Sequence, residues 1–134
     1  ASDSFGRIGG QRIPRARSGA SEPLMIEAKQ AGKRIGIVNT ASVTDAGTGV
    51  HLADAASRRD HAAIAAQMLA REPDVLLGGG EQWFLPTGVT GRHGPGRRTD
   101  GRNLVEEARA KGYVIVHTAE ELERVPAGPR RLLG

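Results

Sequence analysis

Gly36-Ile-Val-Asn-Thr-Ala-Ser-Val-Thr-Asp45-Ala-Gly-Thr48, followed by Ser57-Arg58-Arg59 and then by Asp74-Val-Leu-Leu-Gly-Gly-Gly80, is the stretch whose reading decides the fold. Ile35, Ile37 and Val38 form a short apolar strand that empties into a polar loop. Val75-Leu-Leu77 is the next strand, and its unbroken apolar character suits burial on both faces. Between the two, Ala62, Ala65, Met68 and Leu69 repeat at helical spacing. Asp60 stands at the N-cap position of that helix, and Pro73 forbids its continuation past Glu72. Strand, helix and strand in this order call for a parallel pair joined by a right-handed crossover.

The alternation continues on both sides. Ser21 caps a helix over about 22–31, with Pro23 in its first turn and Gly32 as its stop. Asn103 to Ala110 is a helix closed by Gly112, and Tyr113 to Val116 is a third strand. Thr118-Ala-Glu-Glu121 is a capping box that opens a short helix ending before Pro126. Arg131-Leu-Leu-Gly134 reads as the beginning of a fourth strand, so the chain is expected to be a fragment of a larger domain. The expected architecture is a three-layer α/β fold, a mostly parallel sheet with helices on both faces, of which this chain is a part. Residues 1–20 are glycine-rich with little apolar period and read as an irregular arm, leaving 21–134 as a partial α/β domain. Within it, 78–101 is a long loop rich in Gly, Pro and Arg, functional or on the surface.

Composition narrows the function. The formal charge of +4 and the isoelectric point near 10.3 point toward nucleic acid, but of nineteen basic residues only Lys29, Lys33 and Lys111 are lysines. So strong an arginine bias reads as a GC-rich genome rather than a selected footprint. The aromatics, Phe5, Trp83, Phe84 and Tyr113, do not interleave with the basic residues as single-strand binding needs, so no nucleic-acid partner is expected. No apolar run is long enough to cross a membrane, so no membrane partner is expected either. The absence of cysteine removes disulfides, thiolate nucleophiles and cysteine-ligated zinc together.

Asp45 lies in the loop just past the carboxyl end of a strand, the edge where open α/β sheets place ligands. A carboxylate there can bind a hard, oxygen-preferring cation such as Mg²⁺, although an Asx-turn or a helix cap is its ordinary role. Arg58 follows thirteen residues on, at a distance in sequence that suits holding a metal and a phosphate side by side. A guanidinium offers two parallel donors to two phosphate oxygens, whereas most Arg-Arg pairs are simply solvated, the role assigned to Arg59. Gly78-Gly-Gly80 lacks the Lys-Ser/Thr and the GxGxxG order of a phosphate loop and reads as a structural turn. His51, His61, His93 and His117 are not spaced as a metal constellation and read as surface or helix-start histidines. Trp83-Phe84 reads as a packing anchor for the loop.

Together, the strand ending Val38-Asn-Thr40, the turn Val43-Thr-Asp-Ala46, Ser57-Arg58, Asp74-Val-Leu-Leu-Gly-Gly-Gly80, Asp100-Gly-Arg-Asn-Leu-Val-Glu-Glu107 and Lys111-Gly-Tyr-Val114 resemble, in type and order, the middle of an alkaline phosphatase. The resemblance covers most of residues 22–134. It implies a hydrolase of phosphate monoesters working through a phosphoserine, with Arg58 steadying the phosphoryl oxygens and Asp45 holding Mg²⁺. The family's hydroxyl ligand two residues after that carboxylate is replaced here by Gly47, with Thr48 one place later as the candidate metal ligand. It also implies two Zn²⁺ whose ligands lie mostly outside this chain, a homodimer, and a periplasmic or extracellular location. Asp3-Ser4 lacks the small residues that follow the family's nucleophile, so the nucleophile is expected elsewhere. Two other classes remain open: a non-catalytic α/β module binding an anion, a nucleotide or a partner, and a superfamily relative acting on phosphodiesters. The 134 residues expressed alone are expected to show no turnover of an aryl phosphate even with zinc and magnesium. Metal-dependent hydrolysis by the purified chain would show that the catalytic parts are all present.

Overall fold

Four parallel strands in the order β3-β4-β6-β5 organise the structure, a computed structural model that describes residues 7–8, 11–12, 24–128 and 130–134. In chain order the elements are β1 (Arg7–Ile8), β2 (Gln11–Arg12), α1 (Leu24–Gln30), β3 (Gly36–Ser42), α2 (Ala46–Gly49), α3 (His61–Ala70), β4 (Val75–Gly79), a 3₁₀ turn (Glu81–Trp83), α4 (Leu104–Ala110), β5 (Tyr113–Ile115), α5 (Ala119–Glu123) and β6 (Arg131–Leu133). The parallel α/β architecture expected from the sequence is therefore present. The last strand is an interior one: β6 pairs with β4 through Val75↔Leu132 and with β5 through Val114↔Leu132.

The β3–β4 pair runs in register from Gly36↔Val75 to Val38↔Leu77, then shifts before Ser42↔Gly79. The glycine run explains how the two strand ends approach so closely. A Cβ on Gly78 would stand 2.7 Å from the Asn39 carbonyl oxygen, and one on Gly80, whose φ is 105°, would stand 2.5 Å from the Ser42 hydroxyl. The triplet is a packing turn, as its sequence suggests.

Helix α3 buries Ala65, Met68 and Leu69 of its apolar repeat, and Ile64 rather than the half-buried Ala62, against a core that includes Ile37, Leu76, Leu104, Ala108 and Tyr113. Its exit is fixed by Glu72, at φ 49°, and by Lys29, whose ammonium donates to the carbonyls of Arg71 and Glu72, both at 2.7 Å. Positive charge there complements the carboxyl end of the helix dipole. The Glu72 carboxylate pairs with Lys111 and Arg131, and the Lys111 hydrogen bond is the main cause that holds its pKa below the usual carboxylate range. Asn103 caps α4 by accepting from the amides of Val105 and Glu106, and Thr118 caps α5 by accepting from Glu121.

Within the span read as an irregular arm, residues 7–8 and 11–12 are described. Arg7–Ile8 pairs antiparallel with Gln11–Arg12, and Ile8 is fully buried and bridges to Ala55. Scattered apolar residues in a polar, glycine-rich segment carry no period, which is why the sequence does not announce Ile8. The Ser21 cap, Pro23 and Asp3-Ser4 lie outside the described residues.

Tyr113, the single tyrosine of the chain, buries its ring and donates its hydroxyl to the Pro73 carbonyl at 2.6 Å. Burial pushes its pKa up to about 12 from 10.0. A raised native pKa contributes stability that is fully present below the unfolded value and is lost as pH rises through the native one. Stability is thus expected to fall between pH 10 and about 12, and Tyr113→Phe should flatten that part of the pH profile. Denaturant melts of both proteins across this window, with tyrosinate absorbance as the titration signal, make the check.

Candidate functional site

The turn that leaves β3 is built from the main chain outward. The Asp45 amide donates to the Ser42 carbonyl at 3.1 Å, and the Thr48 hydroxyl donates to the carbonyls of Val43 at 2.8 Å and Asp45 at 3.1 Å. Asp45 occupies the N-cap position of α2, yet its side chain makes no cap hydrogen bond. Among the described residues its half-buried carboxylate has no hydrogen-bond or ion-pair partner at all. The ordinary role of such an aspartate is therefore not the one it plays here. Thr48 directs its proton into the turn, leaving the hydroxyl oxygen's lone pairs.

Thr44, fully buried, directly precedes this carboxylate. Its Oγ1 lies 2.8 Å from the Ser42 hydroxyl and 2.9 Å from Nδ1 of His61, the first residue of α3. The His61 ring stacks on Trp83, with centroids 4.9 Å apart and planes 20° from parallel, and Arg97 lies over the other aromatic partner at 5.9 Å from the Trp83 centroid. His61 is thus a helix-start histidine, as its position in the sequence suggests, but one with a tertiary hydrogen bond that no spacing announces.

Behind this stack lies Arg98, a charged side chain only 1% exposed. Nη1 donates to the Ala62 carbonyl at 2.7 Å and the Trp83 carbonyl at 3.0 Å, while Nε and Nη2 hold both oxygens of Asp100. That hydrogen bond is the leading cause that lowers the Asp100 pKa. The long loop is tied down by this guanidinium, by Phe84 in the core and by the bridges Pro86↔Arg98 and Thr90↔Pro95.

Arg58 and Arg59 precede α3 in a turn closed by the Asp60 amide on the Ser57 carbonyl at 3.2 Å, with the Ser57 hydroxyl accepting from the Arg59 amide at 3.1 Å. Both arginines are exposed, and the structure brings neither into an ion pair with Asp45. Asp60 sits at the N-cap of α3 without a side-chain cap bond.

A cleft of about 140 Å³ opens at the carboxyl edge of β4, β6 and β5, lined by Gly78 to Gln82, His93, Val116 and His117 among others. Asp45, Thr48 and Arg58 do not line it. Here Glu81 accepts from the amides of Arg92 and His93 and stands 3.2 Å from Nδ1 of His117, while Glu121 accepts from the His117 amide and from Arg92. The His117 amide is the leading cause of the lowered Glu121 pKa. Among the described residues no group of three or more His, Asp or Glu side chains is placed to hold a metal ion. As a donor set for a hard cation, one free carboxylate and one hydroxyl oxygen in the same turn suit Mg²⁺, which commonly takes one or two carboxylates and completes its shell with water and phosphate.

A family model described as alkaline phosphatase matches residues 16–134. A streptomycin-6-phosphate phosphatase of Streptomyces griseus is 37% identical over 131 residues, which cover 84% of this chain and 28% of that protein. Alkaline phosphatase H of Pseudomonas aeruginosa is 32% identical, over 73% of this chain and 23% of its own length. The crystal structure of Thermus thermophilus alkaline phosphatase superposes with a TM-score of 0.70 at 38% identity, covering 84% of this chain and 21% of the other. The chain spans about a quarter of the length of the curated relatives it matches.

Arg98→Met keeps most of the buried volume and removes the donors. It should destabilise the protein by about 2–3 kcal/mol, since dry carbonyls and the Asp100 pairing lose their partner. Urea midpoints for the two proteins measure the loss, and an unchanged midpoint would mean that the guanidinium only fills space.

Proposed function

The chain belongs to the alkaline phosphatase family, and from that premise we propose that it serves a metal-dependent hydrolase of phosphate monoesters. The observation that carries the proposal is the unpartnered Asp45 carboxylate at the carboxyl edge of β3, because a carboxylate with no partner among the described residues keeps its oxygens for a hard cation. The names of the relatives, each a phosphatase, support the substrate class.

In this reading Asp45 holds Mg²⁺, with the Thr48 oxygen as the second candidate ligand from the same turn. A bound magnesium supplies local positive charge that favours the charge developing on the transferring phosphoryl group. Arg58 binds two phosphoryl oxygens through its planar fork; its exposed side chain, with no partner among the described residues, is free to do so. The serine nucleophile, the two Zn²⁺ of the family, export and a homodimeric assembly belong to the same proposal and rest on the resemblance alone.

The experiment is steady-state kinetics on the full-length protein. Arg58→Ala should remove on the order of 2–3 kcal/mol of transition-state stabilisation, roughly a 30- to 150-fold loss in kcat/KM. Arg59→Ala should change little, and Arg58→Lys should recover part of the loss, since an ammonium keeps the charge but not the fork. Inorganic phosphate should inhibit Arg58→Ala more weakly in step. Both alanine variants staying within about twofold of the parent would remove the clamp from Arg58. Asp45→Ala should blunt the response of activity to Mg²⁺ without unfolding the protein, and an unchanged response would leave Asp45 a turn former.

A further inference from the structure

The Asp45 carboxylate is aimed by its neighbours, because its own side chain has no partner among the described residues. Three local hydrogen bonds close the turn around it: the Asp45 amide to the Ser42 carbonyl, and the Thr48 hydroxyl to the carbonyls of Val43 and Asp45. All three lie within six residues of sequence, so they shape the turn but cannot set its orientation against the rest of the molecule. Two contacts reach outside it: the Val43 amide donates to the Gly79 carbonyl of β4 at 3.0 Å, and the side chain of Thr44 meets His61, Oγ1 to Nδ1, at 2.9 Å across seventeen residues of sequence. Thr44 is fully buried, so its hydroxyl does not exchange this partner for water without loosening the core around it, while His61 is half-buried.

The histidine end of the contact is held from two sides. The Trp83 ring covers the imidazole face at 4.9 Å, and Arg98 bonds the carbonyls of both Trp83 and Ala62, the residue after His61. The ring is therefore pinned in rotation and in depth, and Nδ1 presents one hydrogen-bonding position to Thr44. The Thr44 hydroxyl has one proton and two lone pairs, so its bonds to Ser42 and to His61 are both satisfied in a single chain, with one neighbour accepting and the other donating.

We propose that His61 is a positioning residue for the Asp45 carboxylate: through Thr44 it fixes the direction in which the turn after β3 presents that carboxylate to a divalent cation. The inference rests on the reading of Asp45 as a magnesium ligand. Groups that orient a ligand from behind typically matter to affinity about 10- to 100-fold, although they never touch the ion.

The test is Mg²⁺ binding by titration calorimetry on the full-length protein, together with melting temperatures in the absence of metal. Thr44→Val removes the hydroxyl and keeps the shape, and His61→Ala removes the ring. Each should raise the Kd for Mg²⁺ about tenfold, and the double variant should be no weaker than either single one, since both break the same contact. His61→Asn, whose amide reaches the position of Nδ1, should restore most of the affinity, while His61→Gln, which reaches that of Nε2, should not. A purely structural histidine would instead lower the metal-free melting temperature without this split between Asn and Gln. Asp45→Ala is the control for the underlying reading and should abolish the binding event. If Asp45→Ala abolishes it while Thr44→Val and His61→Asn, Ala and Gln all bind Mg²⁺ as the parent does, the positioning role is overturned and the metal reading survives. Losses in the two single variants that multiply in the double variant would also overturn it. If Asp45→Ala binds Mg²⁺ unchanged, the metal reading falls and the positioning role falls with it.

Discussion

A guanidinium taken out of water must find acceptors for its donors, and Arg98 finds them in three separate pieces of the chain. Ala62 belongs to the first turn of α3, Trp83 to the 3₁₀ turn after β4, and Asp100 to the end of the long loop. The 3₁₀ turn and the loop are also joined by main-chain bonds such as the Arg97 amide to the Gln82 carbonyl, while the helix is reached by the Arg98 side chain. Arg98, the buried cation among the described residues, therefore helps set how the loop lies against the helix, and the helix start in turn sets where His61 meets Thr44. The geometry behind Asp45 depends on this arrangement more than on any contact that Asp45 makes itself.

The carboxyl edge of the sheet divides into two regions with different chemistry. At β3 a carboxylate and a hydroxyl stand in one turn, and an arginine pair waits exposed at the approach to the next helix. At β4, β6 and β5 a small cleft is lined by glycines and by a network in which Glu81 and Glu121 each accept from main-chain amides. The carboxylates of the second region are engaged by the loop they hold, whereas the carboxylate of the first is not. That contrast, rather than the depth of the cleft, separates a carboxylate without a partner among the described residues from carboxylates that hold the loop in place.

At the opposite edge the charges are structural. Lys29 closes the end of α3, and Glu72 gathers Lys111 and Arg131 from α4's exit and β6. These partly exposed pairs contribute modestly one by one, but they join α1, α3 and β6 where the strands begin. Much of the basic excess visible in the composition is engaged in this way, beside Arg102 on Glu107 and Arg92 on Glu121.

The sequence by itself determined the order and type of the elements that carry a period or a stop signal: α3 from its apolar repeat and Pro73, β4 from its apolar run, α4 from its stop at Gly112, and the cap of α5 from Thr118. These are local, because a helix period, a proline or a capping side chain acts within one turn of chain. It also singled out Asp45, Thr48 and Arg58 through residue type and order along the chain, and the structure puts the first two in a single turn. Tertiary structure alone decided that Ile8 is core, that β6 lies between β4 and β5, that Arg98 is the buried arginine among the described residues, and that His61 reaches Thr44. Each of these depends on partners tens of residues away, and no local pattern encodes which arginine or histidine will meet an acceptor once the chain has closed. Burial and pairing are properties of the packed whole, so they become legible only when the distant segments stand side by side.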